Sequence, residues 1–345
     1  MPNRYSLLLW MFTDDGMFGI GEASPPGPGS TDGISGVASL LHDLAPSTLG
    51  LHPAVASDVL TTLAPHTAHG DTLRFGLESA MFDLVGREAL RPMADLLGGI
   101  IDWVPMSANI DFLLPEDAAL AAAGAIENGY ECVKLSLGAR DSDDDVEVVR
   151  QVREAIGDDI ELRADADEAW TPDRAIEVLK RLEPYHLEFV EQPVMGEDLR
   201  GLAKVRQAVP MPIAADEAFH TYEEAEKVIQ AEAADVLVVK PSRAGGVRQA
   251  KALLELAREN GLTGIVASSM ESGVGIAVCL HLAASLGKAP ASSIASGNFL
   301  EHDMLRQPLV PVRGHITVPQ KPGLGIDVDQ EAVDRYTTGV MGVVR

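Results

Sequence analysis

The chain has 345 residues, enough for one large domain or two ordinary ones, and 46% of them are hydrophobic, so a substantial core can form. Asp and Glu number 52 against 27 Lys and Arg, a formal net charge of -25, the wrong sign for a nucleic-acid or anionic-membrane partner. The only cysteines, Cys132 and Cys279, lie in apolar stretches and imply neither a disulfide framework nor a cysteine-rich zinc site.

The segment MPNRYSLLLWMF lacks the basic start, apolar run and cleavage site of a signal peptide, and no apolar run is long enough to span a bilayer. A reducing cytoplasm is the default expectation. The first lysine is Lys134. High acid with little lysine fits either a surface tuned for saline surroundings or an ordinary acidic protein.

The first segment reads as β then α. YSLLLWMF, TDDG and MFGIGEAS form strand, tight turn and strand. SPPGPGSTDG reads as a loop by composition. Helical stretches follow, among them RFGLESAMFDLVGREAL, up to a glycine stop at LLGG. From residue 104 short β-rich runs alternate with amphipathic helical runs. The strands are VPMSANI, CVKLSLG, IELRADAD, LEFVEQPV, PIAADEA, DVLVVKP, GIVASSM and SSIASG. Seven helical runs lie between them, which predicts a closed parallel barrel, with an open doubly wound sheet as the alternative. No GxGxxG follows a first strand, so a dinucleotide fold has little support.

Polar residues cluster at the C-terminal ends of these strands, where barrels of this kind place their chemistry. Asp165 and Asp167 end the third strand, Glu191 the fourth, Asp216 and Glu217 the fifth, and Lys240 the sixth. The second carries Lys134 and Ser136 on one face. Three carboxylates packed at one mouth repel one another unless a cation joins them. Oxygen-only ligands suit Mg2+ or Mn2+, and Asp165, Glu191 and Asp216 are the expected ligands. Lys240 ends an apolar strand, where burial and a nearby metal both disfavour its charge and make it a usable base near neutral pH. A structural ion pair is its other reading. His281 in an apolar helix reads as a satisfied core histidine, His220 as a surface position, and the spacing of His66 and His69 makes no metal site.

The ordered set GIGEAS, RFGLESAMFDL, LRADADEAW, FVEQPV, PIAADEA and VVKPSRAGGV is similar to the enolase superfamily, muconate-lactonizing-enzyme subgroup, across nearly the whole chain. The resemblance implies an α/β fold, a (β/α)7β TIM-like barrel with an α+β capping domain. The cap spans residues 1–98, the barrel 99–311, and a tail, 312–345, packs back on the cap. It implies Mg2+ on Asp165, Glu191 and Asp216; behind them stand Glu217 and Asp167, the latter a departure from the family's usual asparagine that reads as an extra acid near the metal or, by preference, as a solvated charge. It further implies an enediolate formed from a small-molecule carboxylate substrate, and a homo-oligomer. The cap's usual first strand is expected to be short or absent.

Within the subgroup, ASSMESGVG and SIASGNFL resemble o-succinylbenzoate synthases, which dehydrate a cyclohexadiene carboxylate in menaquinone synthesis. SIASGN lacks the Asp-x-Asp with which dipeptide epimerases hold a substrate ammonium. On this resemblance Arg163, Ser268, Ser269, Glu271 and Gly297 are expected on the substrate side, with backbone N–H groups between Ser268 and Glu271 receiving a carboxylate. The resemblance also exposes a departure. The second strand of the family reads Lys-x-Lys, its second lysine being the base, and here Ser136 takes that place. A serine is a poor base without an activating partner. Lys240 alone, Lys134 in place of the missing lysine, or loss of the ancestral chemistry are the readings left. The expectation is a Mg-dependent, synthase-like lyase. A muconate-type cycloisomerase or a racemase/epimerase using Lys240 is the enzymatic alternative, and a metal-binding relative without catalysis the other.

Overall fold

The computed structural model describes residues 4–25, 31–99, 101–111, 113–287, 290–294 and 300–340, with Thr31 and Asp32 described for their backbone alone. The chain opens on a hairpin, β1 (Leu7–Phe12) and β2 (Phe18–Ala23), paired antiparallel with Leu7 opposite Ala23 and Phe12 opposite Phe18. Gly16, at φ +87°, makes the turn. Residues 26–30 of the predicted loop SPPGPGSTDG lie outside the described residues, and its last residues already belong to α1 (Thr31–Leu44). Next come α2 (Pro53–Leu63) and α3 (Ala68–Glu88), with Thr67 capping α3 through Gly70 N–H.

Helix α3 is buried on nearly every side and the hairpin lies directly on it. Gly21 is required for that approach: a Cβ there would stand 2.0 Å from the carbonyl oxygen of Gly76. A short α4 (Met93–Leu96) ends before Gly98, left-handed at φ +81°, and β3 (Trp103–Pro105) follows.

Seven parallel strands then form one sheet: β4 (Ala108–Ile110), β5 (Cys132–Ser136), β6 (Glu161–Asp165), β7 (Phe189–Glu191), β8 (Ile213–Ala215), β9 (Val236–Val239) and β10 (Thr263–Val266). Ser292 bridges in parallel to Met106 and Ser293 to Ala267, so this short segment supplies the eighth position and closes a barrel. The crossovers are α5 (Pro115–Glu127), α6 (Ser142–Ile156), α7 (Pro172–Leu182), α8 (Leu199–Ala208), α9 (Tyr222–Gln230), α10 (Val247–Glu259) and α11 (Gly273–Ala284). Period 3.6 sets their inner faces: in α7 the buried residues are Ala175, Val178, Leu179 and Leu182.

Period 2 divides the strands. Val133, Leu135, Leu162, Ala164 and Val190 belong to the core between sheet and helices. Phe189, Ala214, Val236, Val238, Ile265 and Ala267 form a separate cluster inside the barrel. Lys134, Ser136, Asp165, Glu191, Asp216 and Lys240 share the parity of that inner set, so they stand above it at the mouth.

The tail adds β11 (His315–Thr317), antiparallel to β3, and α12 (Gln330–Tyr336). Asp83 of α3 joins hairpin to tail by accepting from the N–H groups of Ile20 at 2.9 Å and Leu324 at 2.8 Å. Among the described residues, no helix is long and apolar enough to cross a membrane.

Candidate active site

The strand ends place charges of both signs in alternation. Asp165 and Glu191 are register partners on β6 and β7, and Asp216 follows the last residue of β8. Lys134 reaches between the first two, with Nζ 2.8 Å from Asp165 Oδ2 and 2.7 Å from Glu191 Oε2. Lys240 pairs with Asp216 and stands 3.8 Å from Glu217 Oε1, which Arg243 approaches at 3.5 Å.

The interleaving shapes the electrostatics. Burial, then the Asp165 carboxylate, push Glu191 up to about 8, and its lysine pairing does not offset them. Burial and Asp216 likewise raise Glu217 to about 8. Burial works against both lysine ammonium groups, yet Glu191 and Asp165 outweigh it at Lys134, and Asp216, Glu191 and Glu217 at Lys240. Both lysine pKa values are therefore raised. In this arrangement Lys240 stands in the ion pair that was its other reading.

The three expected ligands stand on adjacent strands, but lysines come between them. Among the described residues, no three His, Cys, Asp or Glu side chains gather closely enough to hold an ion as they stand. The donors nevertheless suit a hard divalent cation. They are all carboxylate oxygens, and Glu191 Oε1 is buried without a hydrogen-bond partner. An orphaned carboxylate oxygen beside a second carboxylate is what a cation would relieve.

The loops after the strands fix these groups. Gln192 takes φ +37°, a left-handed conformation uncommon outside glycine, and ends β7 after three residues. Its Oε1 accepts from Asp216 N–H at 3.0 Å and Ala218 N–H at 3.1 Å, and its Nε2 donates to Val194 O at 2.8 Å. Gln192 thus orients Asp216 from the neighbouring strand. Asp167, at φ +42°, is exposed, and its N–H donates to Asp165 Oδ1 at 3.1 Å.

A cleft of about 2620 Å³ leads from this mouth beneath the cap, with Asp167, Glu217, Lys240, Arg243, Ser268 and Ser269 among its walls. The hairpin closes one side. Arg4 donates to the carbonyl oxygens of Ser269 and Met270, both at 3.1 Å.

Several expected substrate contacts are built into the scaffold instead. Arg163 is 1% exposed; its guanidinium pairs with Glu188, donates to Ala291 O at 2.6 Å and stacks over Phe189 at 4.7 Å. It lies one rung below Asp165, in the barrel floor. Glu271 is fully buried and accepts from Ser242 Oγ and Ser269 N–H, each at 2.5 Å. Ser268 N–H donates to Ser293 O at 3.0 Å. The N–H groups of Ser268 and Ser269 are thus already committed, and neither is open to a substrate carboxylate. Gly297 lies outside the described residues.

Ser136 has a partner the sequence did not reveal. Its Oγ donates to Asp111 Oδ1 at 2.6 Å, Asp111 being the residue after β4.

Residues 3–98 match the family described as "Mandelate racemase / muconate lactonizing enzyme, N-terminal domain", and residues 116–332 match "Enolase C-terminal domain-like". The chain belongs to the mandelate racemase/muconate lactonizing enzyme family of the enolase superfamily. It is an enzyme of that family, and its relatives are epimerases, racemases, cycloisomerases and synthases. It is 39% identical over 220 residues to an o-succinylbenzoate synthase of Thermobifida fusca, covering 63% of this chain and 67% of that one. An N-succinyl-L-Arg/Lys racemase of Bacillus cereus is 28% identical over 341 residues, 96% of this chain and 90% of the relative. Its crystal structure superposes with a TM-score of 0.88 at 26% identity, covering 97% and 91% of the two chains. A dipeptide epimerase of Enterococcus faecalis, solved with Mg and the dipeptide L-Leu-L-Tyr, gives a TM-score of 0.84 at 26% identity, covering 93% and 91%.

Proposed function

We propose that this enzyme removes the proton beside the carboxylate of a small-molecule substrate, with Lys240 carrying the proton. Asp165, Glu191 and Asp216 would hold Mg2+, or Mn2+, which accepts the same oxygen donors. When bound, the cation supplies positive charge against the negative charge that develops on the substrate carboxylate. The remaining work falls to side chains. With a cation held there, Asp216 would no longer be committed to Lys240, whose amino group would be free for the substrate. Lys134 must likewise withdraw from Asp165 and Glu191, and then offers a fixed positive charge to the substrate carboxylate. Arg4, just before the cap hairpin, ties it to the loop after β10.

One observation carries this reading: two lysines from opposite sides of the barrel interleave with three acids on adjacent strands, one of them with an orphaned oxygen. The finer assignment is a synthase-type dehydration of a cyclohexadiene carboxylate, supported by the 39% identity to the Thermobifida fusca synthase. With serine at position 136, Lys240 both removes the proton and returns it to the departing hydroxide. The test is loss of the cyclohexadiene substrate by absorbance, with Mg2+ and with chelator, for the natural chain, Lys240→Ala and Ser136→Lys. Metal-dependent turnover that Lys240→Ala abolishes supports the assignment. Turnover by Ser136→Lys alone would mean the synthase chemistry needs the missing lysine, and no turnover by any form sinks the dehydration.

A second reading is inversion at the α-carbon of an N-acylated amino acid. The carboxylate beside Ser136 favours it, because that pair stands across the mouth from Lys240.

A further inference from the structure

Strands β5 and β9 occupy the second and sixth of the eight barrel positions, so their ends face each other across the mouth. Lys240 follows β9. On the β5 side stands Ser136, level in register with Asp165 and one inward-facing step above Lys134. Its hydroxyl donates to Asp111 at 2.6 Å.

The ordinary structural duties of such a pair are taken by other groups. Asp111 does not cap the next helix: α5 begins after Leu114 without a side-chain cap. The loop after β5 is tied down by Arg140, which bonds the Ser136 carbonyl and Asp145, not the Ser136 hydroxyl. Asp111 is exposed, and among the described residues it forms no ion pair and accepts no other side-chain hydrogen bond. Among the described residues it is a carboxylate anchored by one oxygen, with no donor bonded to the second.

We propose that Asp111 is a catalytic acid/base of this site, that Ser136 positions it, and that the enzyme moves protons on both faces of the substrate α-carbon. This rests on the α-deprotonation reading with Lys240 given above and makes the substrate class a carboxylate with a stereogenic α-carbon, of the N-acyl amino acid kind. In one direction an Asp111 oxygen takes the α-proton, and the C–H electron pair becomes the carbon–carbon double bond of the enediolate. The Lys240 ammonium then delivers a proton to the opposite face, leaving its electron pair on nitrogen. In the other direction the roles exchange. The configuration inverts, nothing is oxidised or reduced, and no co-reactant is consumed. A carboxylate is a weaker base than an amine, so removal on the Asp111 face is the slower half.

The experiment uses the full chain with Mg2+ in D2O. N-succinyl-L-arginine and N-succinyl-D-arginine are supplied separately as probes, and loss of the α-proton signal is followed by NMR. The natural chain is expected to exchange both enantiomers. Asp111→Asn is expected to lose about 100-fold or more of the exchange of one enantiomer, and Lys240→Met that of the other, from the usual size of a general acid–base contribution. Ser136→Ala is expected to slow only the Asp111-dependent enantiomer, and Ser136→Thr, which keeps the hydroxyl, to recover it. A role in folding alone would not choose between enantiomers. Exchange of a single enantiomer that depends on Lys240 and ignores Asp111 would overturn the inference and leave the Lys240 reading standing. Equal slowing of both enantiomers by Asp111→Asn would also overturn it. Metal-dependent exchange of neither enantiomer removes the α-deprotonation of this substrate class, and the inference with it.

Discussion

Glu191 concentrates the conflict in this site. It is 1% exposed, has one oxygen with no partner, and is pressed by Asp165 as well as by burial. Replacing it with glutamine removes the charge and keeps the shape. In chelator, Glu191→Gln is expected to be more stable than the natural chain, by on the order of 1–2 kcal/mol, because the natural side chain, pushed up to about 8, must take up a proton or bury its charge on folding and glutamine need do neither. It is also expected to lose the upward shift in melting temperature that Mg2+ gives the natural chain. Differential scanning calorimetry with and without Mg2+ checks both, and an unchanged Mg2+ response in the variant would take Glu191 out of the ligand set. The acids and Lys240 were legible because each ends an alternating or apolar run. Depth along a strand was not. Arg163 and Asp165 share a face, and only the fold shows that one is in the floor and the other at the mouth. Asp111 was missed because it follows a strand of three residues, and its partner is 25 positions away.

Elements were legible wherever a period ran long enough. The helices α6 to α10 alternate buried and exposed faces, and acid, proline or threonine marks the starts of α6 to α9, a glycine pair that of α10. Helix α3 has no such stripe because it is buried all round, so its place in the cap rested on resemblance alone. The close contact it makes gives a contrast between glycines. Gly21→Ala drives a methyl group against the Gly76 carbonyl and is expected to cost about 3 kcal/mol or more. Gly16→Ala meets nothing within 4 Å and carries only the left-handed backbone penalty, about 1 kcal/mol. Urea denaturation of the two variants measures the difference, and equal losses would mean that the hairpin can lift off α3.

Helix α11 offers a titration. His281 is fully buried; its Nδ1 accepts from Ala94 N–H at 3.1 Å, so Nε2 carries the proton and donates to Leu324 O, also at 3.1 Å. Burial lowers its pKa from 6.5 to about 4. The neutral ring is the form that fits, so as pH falls below 6.5 the unfolded chain takes up this proton before the folded one does. Stability fully present above pH 6.5 is therefore lost on the way down to about 4, on the order of 3 kcal/mol in all. His281→Gln keeps a donor and cannot titrate. Its stability relative to the natural chain should rise across that window, and a constant difference between pH 7 and 4 would remove His281 from the acid limb.

The whole molecule is held across its parts by a few buried acids. Glu22 of the hairpin accepts from Ser272 N–H and Oγ and from Gly275 N–H at the start of α11, where a helix end favours negative charge. Nothing in the local sequence around GIGEAS points to a partner 250 residues away, because such a contact exists only once cap and barrel have met. The surface is governed by the opposite problem. With 52 acids and 27 lysines and arginines, the acids outnumber the cations that could pair with them by 25, and in the run Asp143, Asp144 and Asp145 that opens α6 only Asp143 and Asp145 find arginines, Arg181 and Arg140. Unpaired like charges repel in the folded state more than in the expanded chain, and salt screens them over about 10 Å at 0.1 M. Exposed pairs such as Arg150 with Glu147 and Glu154 weaken in salt as well, but surface pairs of this kind each contribute little. Repulsion therefore dominates, and the melting temperature is expected to rise steadily from about 0.05 to 1 M KCl, most steeply where the Debye length falls below the spacing of neighbouring charges. Substituting lysine for the exposed acids Asp144 and Asp159 should flatten that rise. A melting temperature that falls with KCl would show instead that ion pairs carry the surface and that the acidic balance does not destabilise the folded chain.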